Sequence, residues 1–275
     1  MTLTLRDLRR TPALLRPYRM IWAYRRLIWT STRQLFVSRY AGTALGKQWI
    51  WLGPTLFLVL YAVVFQFLIK GEALRFDDLG YLAQVTAGLA AFLTLAQAMT
   101  AGCSSFSEGK GLLLNAVFPA ELIPLRDAIV AAVPLEIGMI GAVVLGILAN
   151  GPSWPLLLLP LLLLAFAGFV IGVVWSVSLL NLFIRDFSQI VTYLMMVLLT
   201  ATPIGFSYRS VHGLMKVLID ANPLSYYVIP IEDVVAYGSW PPLGYVVGGM
   251  VMAVIGFHGL FAVFQKVKRA ALDYI

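Results

Sequence analysis

The chain has 275 residues, of which 60% are hydrophobic and only 12% are charged, and its formal net charge is +7. A soluble domain of this size carries about twice that charged fraction, so the composition excludes an ordinary soluble protein. Apolar runs of about 18 residues or more recur along the chain, and such runs are typical of transmembrane helices. We therefore expect an all-α, multi-pass membrane protein built as one membrane domain.

The positive charge is concentrated at the N-terminus. Ten of the twenty Lys and Arg residues fall in the first 50 positions, against a single acid, Asp7. A basic tail can bind nucleic acid, but next to membrane spans the positive-inside rule explains it better, so no nucleic-acid partner is expected. The single cysteine, Cys103, excludes an internal disulfide and a cysteine-based metal cluster. Residues 1–20 lack the apolar core and cleavage site of a signal peptide.

Residues 1–50 are predicted to form a basic cytoplasmic segment and an interfacial helix. From Tyr18 onward apolar residues recur at helical spacing, with arginines at intervals of seven beside them. A helix of this kind should lie in the cytoplasmic membrane interface, and the alternative is a plain anchoring tail. The apolar face comprises Tyr18, Ile21, Trp22, Ile28, Trp29, Leu35 and Phe36, and the arginine row is Arg19, Arg26 and Arg33.

Residues 51–275 are predicted to form a six-helix transmembrane domain. The fourth apolar stretch would be about 45 Å long if fully helical, so it should tilt or protrude from the bilayer. With the N-terminus inside, sixteen Lys and Arg residues lie in the cytoplasm and four in the long outer loops, which favours two cytoplasmic termini. The predicted spans are 51–69, 81–103, 128–149, 154–184, 187–205 and 243–264.

Two connecting regions stand out from simple loops. Residues 104–127 are mixed polar and apolar, too broken to span, and could hold a short helix at 112–117. Residues 206–240 contain two apolar pieces, at 214–219 and 226–231, that are each shorter than a span. Because irregular backbone at membrane depth needs protein or water around it, we expect re-entrant or interfacial half-helices there, on the outer side.

The sequence carries no enzyme signature and no metal-site pattern. It lacks a phosphate-binding loop, a His-Glu-x-x-His motif and a Gly-x-Ser-x-Gly motif, and it has only two histidines. We therefore predict no catalytic residues and no metal. Glu136 is the only carboxylate clearly inside a predicted span. Such an acid is a candidate for ion coupling, but it can equally face helix partners or bond backbone freed near Pro134.

A set of short motifs in a fixed order resembles the membrane subunits of ABC transporters that export polysaccharides, such as O-antigen, capsule and teichoic acid. The resemblance covers the chain from about residue 20 to the end. Each motif alone is weak, but their order, the six predicted spans and the missing ATPase motif together are specific. The motifs are Arg39-Tyr40, Leu45-Gly46, Trp49, Pro54, Tyr61, Phe65, Phe118-Pro119, Leu122-Ile123-Pro124, Arg185-Asp186, Thr202-Pro203-Ile204 and Asn222-Pro223-Leu224.

The resemblance implies an architecture and a set of partners. Its members are bacterial inner-membrane proteins with both termini in the cytoplasm. They have an interfacial N-terminal helix, six spans and re-entrant helices before the last span. Two copies of the chain would pair around a central channel, and two separate ATP-binding cassette subunits would bind below. ATP and Mg would bind those subunits, so this chain would need no cofactor. Membrane lipids and a lipid-linked polysaccharide would be the other partners.

The resemblance also assigns roles to individual residues. Residues 104–127 would hold the helix that couples to the ATPase, although the alternative for this region and for the 185–186 turn is an ordinary connecting loop. The aromatic path residues can equally be lipid-facing or core residues. The substrate path would include Trp49, Tyr61 and Phe65; the ATPase contact would include Phe106, Leu113, Phe118, Pro119, Arg185 and Asp186; and the interfacial helix would act through Trp22, Arg26, Trp29 and Arg33.

The favoured function is therefore a channel-forming subunit that exports lipid-linked polysaccharide and performs no bond-making chemistry itself. An ABC exporter of a drug or small lipid is the alternative within the same superfamily. An ion-coupled transporter that uses Glu136, or a membrane enzyme acting on lipid, would need more polar residues inside the spans.

Overall fold

A computed structural model describes residue 12 and residues 15–70, 79–115 and 118–272. Over these ranges the chain is almost entirely helical and contains no β-strand, which confirms the all-α prediction. A π-helical segment, Ile255–Leu260, joins the last two helices. The helices are α1 Arg16–Ala23, α2 Arg25–Arg39, α3 Trp49–Lys70, α4 Leu79–Asn115, α5 Leu122–Ala131, α6 Val133–Asn150, α7 Leu159–Phe183, α8 Phe187–Ala201, α9 Leu214–Ala221, α10 Ser225–Val235, α11 Leu243–Val254 and α12 Phe261–Leu272.

Five segments of the described chain are long and apolar enough to cross a membrane. The fifth predicted span, 187–205, corresponds to α8, which has only 15 residues. A helix of that length covers about 22 Å, less than the roughly 30 Å hydrocarbon core, so the count of six spans stays a prediction. The five segments are Gly46–Val64, Leu79–Leu113, Leu122–Asn150, Trp154–Phe183 and Leu243–Lys268.

The prediction that residues 104–127 form a loop was wrong, because most of these residues are helical. α4 continues without a break to Asn115, so a separate helix at 112–117 does not form within the described residues. α5 already begins at Leu122. The reason is packing: Gly109 lies against α5, where an added Cβ would come within 2.7 Å of the Ile123 side chain. In the sequence this glycine suggests the end of a helix, whereas in the fold it permits close contact between two helices.

α4 lies at the centre of the bundle. It packs against α3, α5, α6, α7, α8 and α10. Its first half contains several small residues that are fully buried, among them Ala83, Ala87 and Ala91. A Cβ at Gly138 of α6 would overlap with Ala90 of α4, so these two helices approach closely. Such small-residue contacts are the usual means of helix association in lipid.

A second apolar cluster lies at the predicted cytoplasmic end, where α1, α2 and α12 meet the bundle. Trp175 of α7 is fully buried there, and its indole N–H donates to the carbonyl oxygen of Glu121 at 3.0 Å. The N-terminal helices contribute Met20 and Ile28 to this cluster. The remaining buried members are Phe106, Ala120, Leu122, Leu125, Leu179, Phe257, Phe261 and Phe264.

The region 206–240 contains the two short helices that the sequence predicts. α9 is largely exposed, with Ile219 as its buried residue. In α10 every residue except Tyr226 is buried, and the helix packs against α4, α7 and α11. An apolar helix of 11 residues inside the bundle is compatible with a re-entrant element, which stays a prediction.

Candidate functional site

A groove opens at the predicted cytoplasmic side, where the end of α2 and the start of α3 meet α4 and the α5–α6 junction. It is a cavity of about 310 Å³. An adjoining depression of about 530 Å³ shares Arg39, Tyr40 and Gln97 with it. We call the two together the interfacial groove. The first part is lined by Phe36, Arg39, Tyr40, Trp49, Ile50, Gly53, Pro54, Phe57, Leu93, Gln97, Val130, Val133 and Pro134.

The local sequence explains why these residues meet. α2 ends at Arg39, and the chain then reverses through Gly42 and Gly46, whose φ angles of 80° and 53° favour glycine. The 3₁₀ turn Gly46–Gln48 leads directly into α3 at Trp49. This reversal brings Arg39 and Tyr40 against Trp49 and Pro54, so four of the motif residues of the family resemblance line one groove.

The two parts of the groove differ in chemistry. The first part is mainly apolar and aromatic, with Trp49, Phe57 and Pro134 on its walls. The second part carries amide, hydroxyl and charged groups, and Arg39 and Tyr40 lie where the two parts join. A groove of this kind can hold a molecule that has an apolar part and a polar part. The polar lining comprises Arg39, Tyr40, Gln97, Thr100, Ser104 and Glu108.

The predicted substrate-path residues fall on one side of α3. Trp49 lines the groove itself. Tyr61 stacks on Phe57, with ring centroids 4.3 Å apart and an interplanar angle of 20°, and Phe57 also lines the groove. Tyr61 therefore continues the aromatic wall by one helical turn into the bundle. The side chain of Phe65 lies outside the described residues.

The predicted ATPase-contact residues are divided between the core and the surface. Phe106 is 3% exposed and stacks on Phe264, with centroids 6.3 Å apart, so in this conformation it is a core residue. Leu113 and Phe118 are half-buried against the same cluster. Pro119 is half-buried, whereas Arg185 and Asp186 are exposed in the α7–α8 turn.

The α7–α8 turn is attached to α4 through one asparagine. The side-chain amide of Asn181 donates to the carbonyl oxygen of Cys103 at 2.8 Å, and its oxygen accepts from the backbone N–H of Ser188 at 3.1 Å. A force on this turn would therefore reach α4 directly. No local pattern in the sequence predicts this contact, because the partners are 78 residues apart.

The predicted interfacial-helix residues are all exposed on α1 and α2. The two helices are separated by Tyr24, so the segment is not one continuous helix. The guanidinium of Arg25 lies 4.6 Å from the ring centroid of Trp22. This is a cation–π contact with one of the tryptophans of the predicted apolar face.

Glu136 is exposed in the first turn of α6. It is also not the only carboxylate in an apolar segment. Asp127 lies within Leu122–Asn150, is 4% exposed, and pairs with Arg126 at an N–O distance of 3.4 Å. The sequence prediction missed this pair because α5 begins earlier than the hydropathy pattern indicates.

Two further buried acids lie side by side on α10. Asp233 accepts from the guanidinium of Arg209 at 2.8 Å and from the hydroxyl of Tyr208 at 3.1 Å. Glu232 is 3% exposed and has one long contact, 3.4 Å, from the amide of Gln84. Burial raises the pKa of Glu232 well above its usual range, and the neighbouring Asp233 raises it further. We call Glu232 and Asp233 the α10 acid pair.

Comparison with known proteins identifies the family. A sequence model of the family described as ABC-2 type transporter matches residues 26–233, from α2 to α10. The O-antigen export system permease protein RfbA of Myxococcus xanthus is 24% identical over 215 residues, which is 77% of this chain and 80% of that protein. Two Klebsiella pneumoniae proteins of the same name are 25% and 24% identical, each over 84% of this chain and 87% of the relative.

Proposed function

Because the chain belongs to the ABC-2 type transporter family and is a multi-pass bacterial inner-membrane protein, we propose that it is the channel-forming subunit of a polysaccharide exporter. The exporter moves a lipid-linked polysaccharide out of the cytoplasm. ATP is hydrolysed on a separate partner subunit, which binds ATP and Mg. The names of the three relatives support the polysaccharide substrate, since each is an O-antigen export permease.

The observation that carries this proposal is the two-part chemistry of the interfacial groove. A lipid-linked polysaccharide has an apolar chain, a phosphate linkage and a series of sugar rings. The apolar part of the groove suits the lipid, and the Arg39 guanidinium suits a phosphate. Trp49 and the Phe57–Tyr61 stack offer flat aromatic faces of the kind on which sugar rings pack.

The exposed apolar faces of the bundle support pairing of two copies. α3 leaves Trp51, Leu56 and Leu60 more than half exposed, and α8 does the same with Tyr193 and Val197. Lipid can cover such faces, and so can a second copy of the same chain. We propose that the two copies meet along α3 and α8 and enclose the channel between them.

The ATPase subunits are proposed to bind at the predicted cytoplasmic end. The turn at Arg185 and Asp186 is exposed there, close to the α4 segment to which Asn181 is bonded. Phe118 and Pro119 precede α5 and remain half-exposed. Closure of the ATPase pair would push on these elements and move α4, which packs against most of the bundle.

The test is substrate-stimulated ATP hydrolysis in vesicles that contain this chain and its ATPase partner. We expect lipid-linked polysaccharide to stimulate hydrolysis, and we expect the same lipid without sugar to stimulate it much less. Stimulation by the bare lipid alone would favour export of a small lipid. If neither compound stimulates hydrolysis by an assembled complex, the proposal is wrong.

A further inference from the structure

The side of α1 and α2 that faces away from the bundle carries tryptophan and arginine together. On α2, Arg26, Trp29 and Arg33 follow one another at intervals of three and four residues, so they share one helix face, and Trp22 precedes them on α1. Trp22 is 67% exposed and Trp29 is 72% exposed, and both arginines are exposed as well. We call these four residues the Trp–Arg stripe.

The opposite side of the same helices is buried, and this determines that the Trp–Arg stripe faces away from the bundle. Met20, Ile28, Ser31 and Thr32 are buried, and α2 packs against α5. Rotating α1 to bury Trp22, or α2 to bury Trp29, would expose this packed side. The exposure of Trp22 and Trp29 is therefore set by the fold, and the sequence pattern alone had placed Ile28 on the same face as both tryptophans.

The charge of the stripe is not balanced locally. Residues 8–71 contain no Asp or Glu, and within the described chain the structure records no ion pair for Arg26 or Arg33. Arg25 adds a third positive charge beside Trp22, to whose carbonyl oxygen it donates at 2.8 Å. A surface with several guanidinium groups, two large aromatic side chains and no acid is complementary to phosphate groups at a membrane interface.

We propose that the Trp–Arg stripe binds anionic phospholipids of the cytoplasmic leaflet, through contacts between its guanidinium groups and lipid phosphates. The tryptophan rings would lie at the boundary between headgroups and acyl chains, where this side chain is enriched in membrane proteins. Each basic residue near an anionic membrane surface strengthens binding about fivefold. The inference needs the membrane location of the helices but does not depend on the exported substrate.

The test measures lipid binding by the purified full-length chain without any ATPase partner or polysaccharide. Native mass spectrometry counts bound lipids during titration with phosphatidylglycerol or with phosphatidylcholine. We expect the wild type to prefer phosphatidylglycerol, and the double variant Arg26→Gln/Arg33→Gln to lose about 10- to 25-fold of that preference. The matched control Lys216→Gln/Lys266→Gln removes two exposed positive charges elsewhere and should keep it.

A second variant separates charge from folding. Arg26→Lys/Arg33→Lys retains both charges and should retain most of the preference for phosphatidylglycerol. If the glutamine variant is folded and still prefers phosphatidylglycerol as strongly as the wild type, the inference is overturned. Unchanged lipid preference together with weaker binding of the ATPase partner would also overturn it, and would identify the stripe as a protein-docking surface.

Discussion

The side-chain amide of Asn222 donates a hydrogen bond to the hydroxyl of Thr202 at 2.8 Å, and both side chains are buried. The oxygen of the same Asn222 amide accepts from the backbone N–H of Leu224 at 2.9 Å. Two of the motifs that carry the family resemblance, 202–204 and 222–224, are therefore one bonded unit. They fasten the end of α8 to the start of α10, across the exposed helix α9.

Loss of this bond should weaken the fold. Replacing Asn222 with Ala leaves the buried Thr202 hydroxyl without its donor, and we expect the free energy of unfolding to fall by about 1–3 kcal/mol. Thermal unfolding in detergent measures the change, with Ser210→Ala at an exposed serine as the control. Thr202→Val should lower the free energy of unfolding by a similar amount. The double variant should lower it by less than the sum of the two single changes. Full additivity would show that the two side chains act independently.

Glycines at helix crossings give a second prediction. A Cβ at Gly172 of α7 would overlap with the Gly256 backbone in the π-helical segment, and one at Gly146 of α6 would overlap with the Val235 carbonyl. Because backbone cannot yield as a side chain can, each change to Ala should destabilise the protein by about 1–3 kcal/mol. Gly141→Ala is the matched control, since its nearest neighbour is 4.0 Å away. Equal stability of the Gly172 and Gly141 variants would contradict this packing.

The ion pair between Arg209 and Asp233 gives a third prediction. Arg209→Gln leaves the 1%-exposed Asp233 side chain with the Tyr208 hydroxyl but without its cation. We expect the free energy of unfolding to fall by about 1–2 kcal/mol. The decrease is smaller than for a fully buried pair because Arg209 is half exposed. A second change, Asp233→Asn, should recover part of the loss, as measured by thermal unfolding. If Asp233→Asn makes the Arg209 variant still less stable, the carboxylate is not the destabilising group.

Glu232 should make the stability of the protein depend on pH. Because burial raises its folded-state pKa, the folded protein holds this proton to higher pH than the unfolded chain. The stability that the neutral carboxyl group contributes is fully present at pH values below the pKa of Glu232 in the unfolded chain. It is lost as pH rises toward the pKa of Glu232 in the folded protein. Glu232→Gln removes this dependence, so from about pH 5 to about pH 8 the wild type should lose stability relative to the variant. Thermal unfolding of both proteins at the two pH values checks the direction.

This prediction is contradicted if the Glu232→Gln variant is less stable than the wild type and if the difference grows as pH rises. That outcome would mean that Glu232 is ionised in the folded protein and needs its charge. A parallel Ser210→Ala variant, at an exposed position and with no acid removed, is the control.

Much of the helical architecture could be predicted from the sequence, because apolar length and turn residues are local signals. The spans that begin near residues 51, 81, 154 and 243 and the short helices at 214 and 225 were predicted within a few residues. The end of α4 was missed, because the sequence does not show that Gly109 will meet Ile123. Local composition predicted a loop there, whereas contact with α5 stabilises the helical conformation of this segment.

The functional residues were predicted less completely, for two physical reasons. An apolar residue at a helical spacing is favoured equally by lipid and by protein, so the pattern could not show that Ile28 is buried while Trp22 and Trp29 are exposed. Buried polar partners also lie far apart in sequence: Gln84 and Glu232 are 148 residues apart. Hydropathy therefore singled out the exposed Glu136 and missed the α10 acid pair.

The interfacial groove gives the last prediction. Trp49→Ala and Tyr61→Ala each remove an aromatic face from its wall or from the adjoining stack, and each should lower export about tenfold while the protein stays folded and inserted. Leu218→Ala, at an exposed position on α9, is the control and should leave export unchanged. Unchanged export in both aromatic variants would show that this stretch only anchors the chain.

The proposed export function is tested by transport itself, in inverted membrane vesicles that contain the wild-type chain and its ATPase partner. The measured quantity is ATP-dependent movement of labelled lipid-linked polysaccharide from the outside of the vesicles to the lumen. We predict movement with ATP, none with a partner that cannot hydrolyse ATP, and a strong reduction with Trp49→Ala. An assembled wild-type complex that hydrolyses ATP but moves no lipid-linked polysaccharide would contradict the proposed function.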